Sequence, residues 1–193
     1  GSTGIVTVSD TSAIDYETAT TCYVVVRATS ADGSTADTNF SISVTDADEF
    51  DVGSVSDTDS DANTLAEDVS NGASAEITAS ATDADGSTNT VTYAITAQSC
   101  SGAFAIDAST GAVTVADTSA IDYEAGTTCT IDVRATSADG STSDATFTVT
   151  LTDVNDQTPT YTSADTTPDV AENTKAVETV AITDTDTGDS NTC

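Results

Sequence analysis

The sequence predicts an all-β fold of tandem Greek-key β-sandwich repeats, one complete and two partial. Three observations carry this expectation. Apolar residues alternate with polar ones in short runs: Val91/Tyr93/Ile95, Phe104/Ile106, Val113/Val115, Ile131/Val133/Ala135 and Phe147/Val149/Leu151. Period-two runs rich in β-branched residues are strands with one buried face. Asp-Gly-Ser and Ser-Thr-Gly turns break the runs, and no helical stripe interrupts them. The chain also repeats itself at the spacing of a whole domain rather than of a solenoid unit.

The repeat is explicit. Gly4-Ile-Val-Thr-Val-Ser-Asp-Thr-Ser-Ala-Ile-Asp-Tyr-Glu17 returns 107 positions on as Gly111-Ala-Val-Thr-Val-Ala-Asp-Thr-Ser-Ala-Ile-Asp-Tyr-Glu124. Val26 to Thr35 returns at Val133 to Thr142, and Ala66-Glu67-Asp68 is answered 105 positions on by Ala171-Glu172-Asn173. About seven short strands in roughly 105 residues describe a β-sandwich. Residues 52–156 hold a full set of strands. Residues 1–51 hold the last three strands of a preceding repeat, and 157–193 the first two of a following one. Between Asn89 and Gly111 lie 21 residues, whereas joining the chain's end to its start leaves five between Asn191 and Gly4. The chain thus reads as two periods of a longer array with one strand pair absent.

With 33 acidic residues against 3 basic ones, the net charge is -30. Nucleic acid and anionic membranes need Lys/Arg patches, so neither is an expected partner, whereas cations are. High charge with few aromatics also describes disordered chains, but here the apolar residues are patterned. No apolar run approaches the ~18 residues of a membrane span, and no signal peptide is visible; either could lie outside this chain. Histidine is absent, which removes the commonest general base and the usual zinc nitrogen. No Ser or Cys has a base beside it, and no enzymatic activity is expected.

The acids fall into four ordered motifs, and in these the sequence resembles the cadherin repeat. They are the Glu after the first strand (Glu67, Glu172), and Asp83-Ala-Asp85 with Asn89, matched by Asp184-Thr-Asp186 with Asn191. Next come Ile14-Asp15-Tyr16-Glu17 and Ile121-Asp122-Tyr123-Glu124, then the linker Asp153-Val-Asn155-Asp156-Gln-Thr-Pro159. The first linker, Asp46-Ala-Asp48-Glu49-Phe50, keeps the acids but lacks the Asn and Pro. The resemblance covers nearly the whole chain and implies a cadherin-like, immunoglobulin-like sandwich that binds Ca2+ where repeats meet. Its implied ligands are Glu67, Asp122, Glu124, Asp153, Asn155, Asp156, Asp184, Asp186 and Asn191 at one junction. At the other they are Asp15, Glu17, Asp46, Asp48, Glu49, Asp83, Asp85 and Asn89.

Coordination chemistry gives an independent reason. Calcium takes 6–8 oxygen ligands, more than any one short loop here supplies, whereas several loops together could. On a strand, residues i and i+2 point the same way, so Asp122/Glu124 and Asp184/Asp186 would each offer two carboxylates. Turn-filling is the alternative role for an Asp, and it is assigned to Asp10, Asp32, Asp117 and Asp139. One departure stands out: cadherin repeats usually close an Ala-x-Asp where this chain has Ala28-Thr-Ser30 and Ala135-Thr-Ser137. That leaves two or three ions per junction, with the neighbouring Asp32 and Asp139 as candidate substitutes for the missing carboxylate.

Four cysteines suit an oxidising compartment. Cys100 and Cys129 end and begin strands that neighbour each other in such a sandwich, so they either pair or remain buried thiols. Cys22, the repeat-mate of Cys129, could meet Cys193 of another copy. Arg27 and Arg134 are expected to pair with surface acids. Asn39-Phe40-Ser41 is the N-glycosylation sequon, and glycans are possible there and on the Thr/Ser-rich faces. The function implied is a calcium-stiffened extracellular stalk or filament at the cell surface, with further copies or neighbouring repeats as partners head to tail. A calcium-dependent adhesion receptor or adhesin ectodomain is the alternative, although such receptors often dock a Trp and none is present.

Overall fold

The fold was analysed in a computed structural model that describes residues 3–162, 169–173 and 180–186. Twelve strands are placed among them. An antiparallel hairpin joins β1 (Thr21–Thr29) to β2 (Thr35–Ser43). The strands β3 (Ser56–Asp57), β4 (Thr64–Ala66), β5 (Ser74–Ser80), β6 (Val91–Gln98), β7 (Phe104–Ile106), β8 (Ala112–Val115), β9 (Thr128–Ser137) and β10 (Thr142–Thr152) follow. They make two four-stranded sheets, ordered β4-β10-β9-β6 and β3-β5-β8-β7. The pairing of β4 with β10 is parallel, Leu65 facing Leu151. A last short pair joins β11 (Thr160–Tyr161) to β12 (Ile182–Thr183). The predicted all-β sandwich is what forms. Its only helical pieces among the described residues are single 3-10 turns at Thr11–Ala13 and Thr118–Ala120, each capped by the Asp before it.

The described chain divides into two compact units. The larger holds Val55–Ser80, Tyr93–Arg134 and the chain from Asp144 onward. Its core follows the predicted parity: Ala75, Ile77 and Ala79 on β5, Val113 and Val115 on β8, Cys129, Ile131 and Val133 on β9, Val149 and Leu151 on β10 are all buried. Burying an aliphatic side chain of this size stabilises by roughly 1.5–3 kcal/mol, and these residues hold the unit together. Cys100 and Cys129 are disulfide-bonded, with Cα atoms 5.5 Å apart, which realises the pairing reading. Arg134 makes a bidentate ion pair with Asp144 on the solvent face, at 2.7 and 2.8 Å.

The smaller unit comprises Gly1–Ser54, Ala81–Thr92 and Ala135–Ser143. Here β1 and β2 pair in a nine-residue register that sets Arg27 opposite Asp37, and the two form a bidentate pair at 2.7 Å. Exposed pairs of this kind contribute about 0–1 kcal/mol. The hairpin's apolar face is open: Ile5, Val6, Val8, Phe40 and Ile42 are exposed. Val6, Val8, Ile14, Cys22, Val24, Ile42 and Val44 line a groove of about 620 Å³. Cys22 is a free, half-buried thiol, and its candidate partner Cys193 lies outside the described residues. Asn39 of the sequon is exposed on β2.

A bulge shapes the larger unit. The β5–β8 register shifts between Ser74 and Thr78, and Glu76 there takes a left-handed φ of 53°. Gly111, at φ 73°, enters β8 so close to β5 that an added Cβ would lie 2.0 Å from the Ala79 carbonyl oxygen. Gly111→Ala should therefore destabilise the protein by at least about 2 kcal/mol, read as a lower urea midpoint. Gly126→Ala, whose Cβ would meet nothing within 4 Å, should leave the midpoint nearly unchanged. The disulfide makes a parallel expectation: Cys100→Ala/Cys129→Ala should lose about 3–4 kcal/mol on the chain-entropy relation for a loop of this length.

Candidate metal centres

Each unit gathers carboxylates, and the larger one also sets Asp59, Asp61 and Glu76 close together apart from its main centre. In the smaller unit, Glu17, Asp46 and Asp85 bring one oxygen each to within 4.8 Å of one another, and so do Asp48, Asp85 and Asp139. Asp85 belongs to both groups and is 1% exposed. Backbone amides position these acids from one side: Glu49 and Phe50 N–H donate to Asp85 Oδ1 at 3.2 and 3.3 Å. Gly86 N–H donates to Glu17 Oε1 at 2.7 Å. Ser87 donates to Asp46 Oδ2 from both its amide and its hydroxyl, and holds that carboxyl below the usual range. Asn89 Nδ2 donates to the Asp85 carbonyl at 2.7 Å, and Asp83 Oδ1 accepts from the Asp85 amide. Burial pushes Asp48 upward, helped by the charges of Asp139 and Asp85. Burial likewise raises Glu49, with Glu17 and Asp85 adding to it.

The larger unit repeats the arrangement. Glu67, Glu124 and Asp156 form one group, and Glu124, Asp153 and Asp186 a second, with Glu124 shared. Glu67 accepts from Val154 and Tyr123 N–H at 2.7 Å each. Gln157 N–H donates to Asp186 Oδ2 at 3.0 Å, and Gln157 Nε2 to Asp156. Burial raises Glu124, and the charges of Glu67, Asp153 and Asp186 raise it further. Asp186 is raised by its burial first and by Asp184 and Asp156 after that.

The donors leave one set of oxygens unserved. Asp46 Oδ1, Asp83 Oδ2, Asp85 Oδ2, both oxygens of Glu124, Asp153 Oδ1 and Asp186 Oδ1 are buried with no hydrogen-bond partner. A buried acceptor with no donor is destabilising. Among the described residues the ion pairs join Arg27 to Asp37 and Arg134 to Asp144, and neither involves these groups. Oxygens bound to one calcium at about 2.4 Å lie at most about 4.8 Å apart, which matches the spacing of each group. The donor set fits a hard, oxygen-loving dication.

Of the sequence-predicted ligands, the structure brings together Glu17, Asp46, Asp48 and Asp85, and Glu67, Glu124, Asp153, Asp156 and Asp186. Asp15 and Asp122 cap turns, accepting from Thr18 and Ala125 amides, and Asp184 accepts from the Asp186 amide. The reason is local: Asp15–Glu17 and Asp122–Glu124 lie in turns rather than on strands. The expected i, i+2 alignment therefore does not form there, and Asp184 and Asp186 also lie beyond β12. Asn155 is in the linker between Asp153 and Asp156, and Asn191 falls outside the described residues. Sequence reading gave Asp139 to a turn and weighed it, with Asp32, as a substitute for the missing Ala-x-Asp carboxylate; of the two, Asp139 lies beside Asp48 and Asp85. Its repeat-mate Asp32 has the same local sequence, so no local signal separates the two.

The cadherin domain family matches residues 63–152, so the chain carries a cadherin-type repeat. No curated protein matches the chain. Among solved structures it is similar to the Protocadherin GammaB4 extracellular domain, at 23% identity and TM-score 0.69, covering 90% of this chain and 28% of that one. Mouse Cadherin-23 EC22-24 shares 24% identity at TM-score 0.69, over 91% of this chain and 57% of that one. Mouse Protocadherin-24 EC1-3 shares 19% at TM-score 0.67, over 90% and 58%. These likenesses establish a common fold, and the chain spans little more than half, or less, of each of these proteins. No helix among the described residues is long and apolar enough to cross a membrane.

The raised carboxyls give a signed prediction for the metal-free protein. A carboxyl whose pKa is higher folded than unfolded favours folding while it is protonated. That contribution is complete below the unfolded-state value and is lost as pH rises through the folded-state one. Glu124→Gln should therefore raise the melting midpoint of the chelator-treated protein by a few degrees at pH 7 and change it little at pH 4. Thermal melts across that window check this, and a lower midpoint at pH 7 would contradict it.

Proposed function

We propose that this chain, whose residues 63–152 match the cadherin domain, is part of an extracellular array stiffened by calcium, a stalk or filament of the cell surface. The observation that carries the reading is the set of buried carboxylate oxygens that no protein donor reaches. Calcium bound there would supply the positive charge and the 6–8 oxygen coordination that complete those groups. The chain's own residues do the rest. Linker amides of Glu49, Phe50 and Gln157 hold Asp85 and Asp186 with one oxygen outward. Glu67 ties the linker at Val154 to the Asp-Tyr-Glu turn at Tyr123. Without a cation, like charges crowd each group and loosen the linker.

Residues 1–51, 52–156 and 157–193 are read as successive repeats, with 46–51 and 153–159 as the junctions. The ligand type selects the ion: every donor is oxygen, histidine is absent, and magnesium demands a tighter octahedron than shared, irregular carboxylates give. The uncovered face of β1–β2 supports its covering by strands of a neighbouring repeat of the same protein or of another copy. In a head-to-tail assembly, residues 157–193 of another copy supply them. The contact is heterologous and propagates.

Isothermal titration should show calcium binding between micromolar and millimolar. Glu124→Ala should weaken it at least tenfold, and Asp117→Ala, a turn cap, should not. Electron microscopy should show extended, straight particles with calcium and flexed ones in chelator. A wild-type protein that takes up no calcium over that range would overturn the reading.

A further inference from the structure

Gly86 follows the Asp83-Ala84-Asp85 pair, and its backbone does not explain why a glycine stands there. Among the described residues the glycines with left-handed φ are Gly33, Gly72, Gly102, Gly111 and Gly140, and Gly86 is not one of them. What position 86 lacks is room. A Cβ built on Gly86 would lie 2.6 Å from both Cδ1 and Cε1 of Tyr16 and 2.8 Å from Glu17 Oε1. The Tyr16 ring occupies the space that a side chain would need.

The contact joins two segments of the smaller unit, the Ile-Asp-Tyr-Glu turn and the Asp-x-Asp loop, and it bears on Glu17. Gly86 N–H donates to Glu17 Oε1 at 2.7 Å, so one residue both seats the ring and orients the neighbouring carboxylate. Glu17 is exposed, whereas Asp46 is half-buried and Asp85 buried, so it is the least enclosed member of its group. An exposed Glu loses side-chain freedom when it takes a ligand, and a ring that fixes its turn removes that freedom beforehand. Tyr16 also borders a recess of about 310 Å³ with Ile14, Val44 and Ala47. A displaced ring has somewhere to go, so a methyl at position 86 moves the ring without breaking the fold. In the other centre Thr187 follows Asp186, and no glycine stands at the matching position.

We propose that Tyr16 and Gly86 are positioning residues that together set the calcium affinity of the group Glu17, Asp46 and Asp85. The proposal rests on the calcium reading above. In isothermal titration, Tyr16→Ala and Gly86→Ala should each weaken one class of calcium sites about tenfold. The double variant should be no weaker than either single one, because both remove the same contact. Tyr16→Phe, which keeps the ring carbons, should bind as wild type does, and so should Tyr23→Ala, at an exposed ring on β1. Unaltered affinity in Y16A and G86A, beside a wild-type protein that binds calcium, would overturn this proposal and leave the calcium reading standing. Additive losses in the double variant would do the same, whereas a wild-type protein that binds no calcium would overturn both. A second measurement needs no metal: nitration by tetranitromethane in chelator, read by peptide mass spectrometry. Nitration attacks the ring at Cε, and Cε1 of Tyr16 is one of the carbons seated against Gly86. Tyr16 should react several-fold more slowly than Tyr23 in wild type and should gain reactivity in G86A. Equal nitration of Tyr16 in wild type and G86A would overturn the proposal even if Y16A fails to fold.

Discussion

Positive charge is scarce in this chain. Three basic residues face 33 acidic ones, and two of the three are committed on strand faces, Arg27 to Asp37 and Arg134 to Asp144. The acids at the two centres are held together by neutral donors, the amides of Glu49, Phe50, Gly86, Val154 and Gln157. An amide orients a carboxylate without cancelling its charge. The crowding that raises Glu124, Asp186, Asp48 and Glu49 is therefore built into the fold, and a bound dication relieves it.

The same sequence meets two fates in this molecule, which separates what a strand encodes from what its partners provide. Cys129, Ile131 and Val133 of β9 are fully buried. Their repeat-mates Cys22 and Val24 on β1 are half-buried, and Val26 is 37% exposed. The alternation is identical, and the hairpin register is regular from Thr21 to Thr29. Among the described residues, β9 lies in a four-stranded sheet and its cysteine is disulfide-bonded, whereas β1 pairs only with β2 and Cys22 is free. Alternation sets which face turns inward; the rest of the repeat makes that face a core.

Fold class, repeat spacing and most of the clustered acids were legible in the sequence because each rests on a short-range pattern. Period-two alternation gave β9 and β10. The Ile-Asp-Tyr-Glu, Asp-x-Asp and linker motifs gave Glu17, Asp46, Asp48, Asp85, Glu124, Asp153, Asp156 and Asp186. Sequence misjudged the places where a turn replaced a strand. Asp122 was expected to align with Glu124 on a strand, but the two lie in a turn where Asp122 accepts from the Ala125 amide. An Asp beside a free amide two or three residues on makes that local bond at little entropic loss, and no motif records the competition. The Arg27–Asp37 pair was foreseen only as an unnamed acid, because its partner depends on the hairpin register.

Asp139 carries this logic furthest. Its turn is copied letter for letter at Asp32, so the difference between them lies wholly in what the linker brings near. At Asp139 the linker arrives through Val52 and Ser141 and places Asp48 alongside. A carboxylate already fixed through one oxygen by a turn loses little further freedom when its other oxygen takes a ligand, and such preorganisation strengthens binding without new contacts. Two buried acids share that plan: Asp85 and Asp186 are pinned through one oxygen by linker amides, and the other oxygen is buried without a donor. A surface turn thus becomes a potential ligand when a neighbouring segment is tied to it.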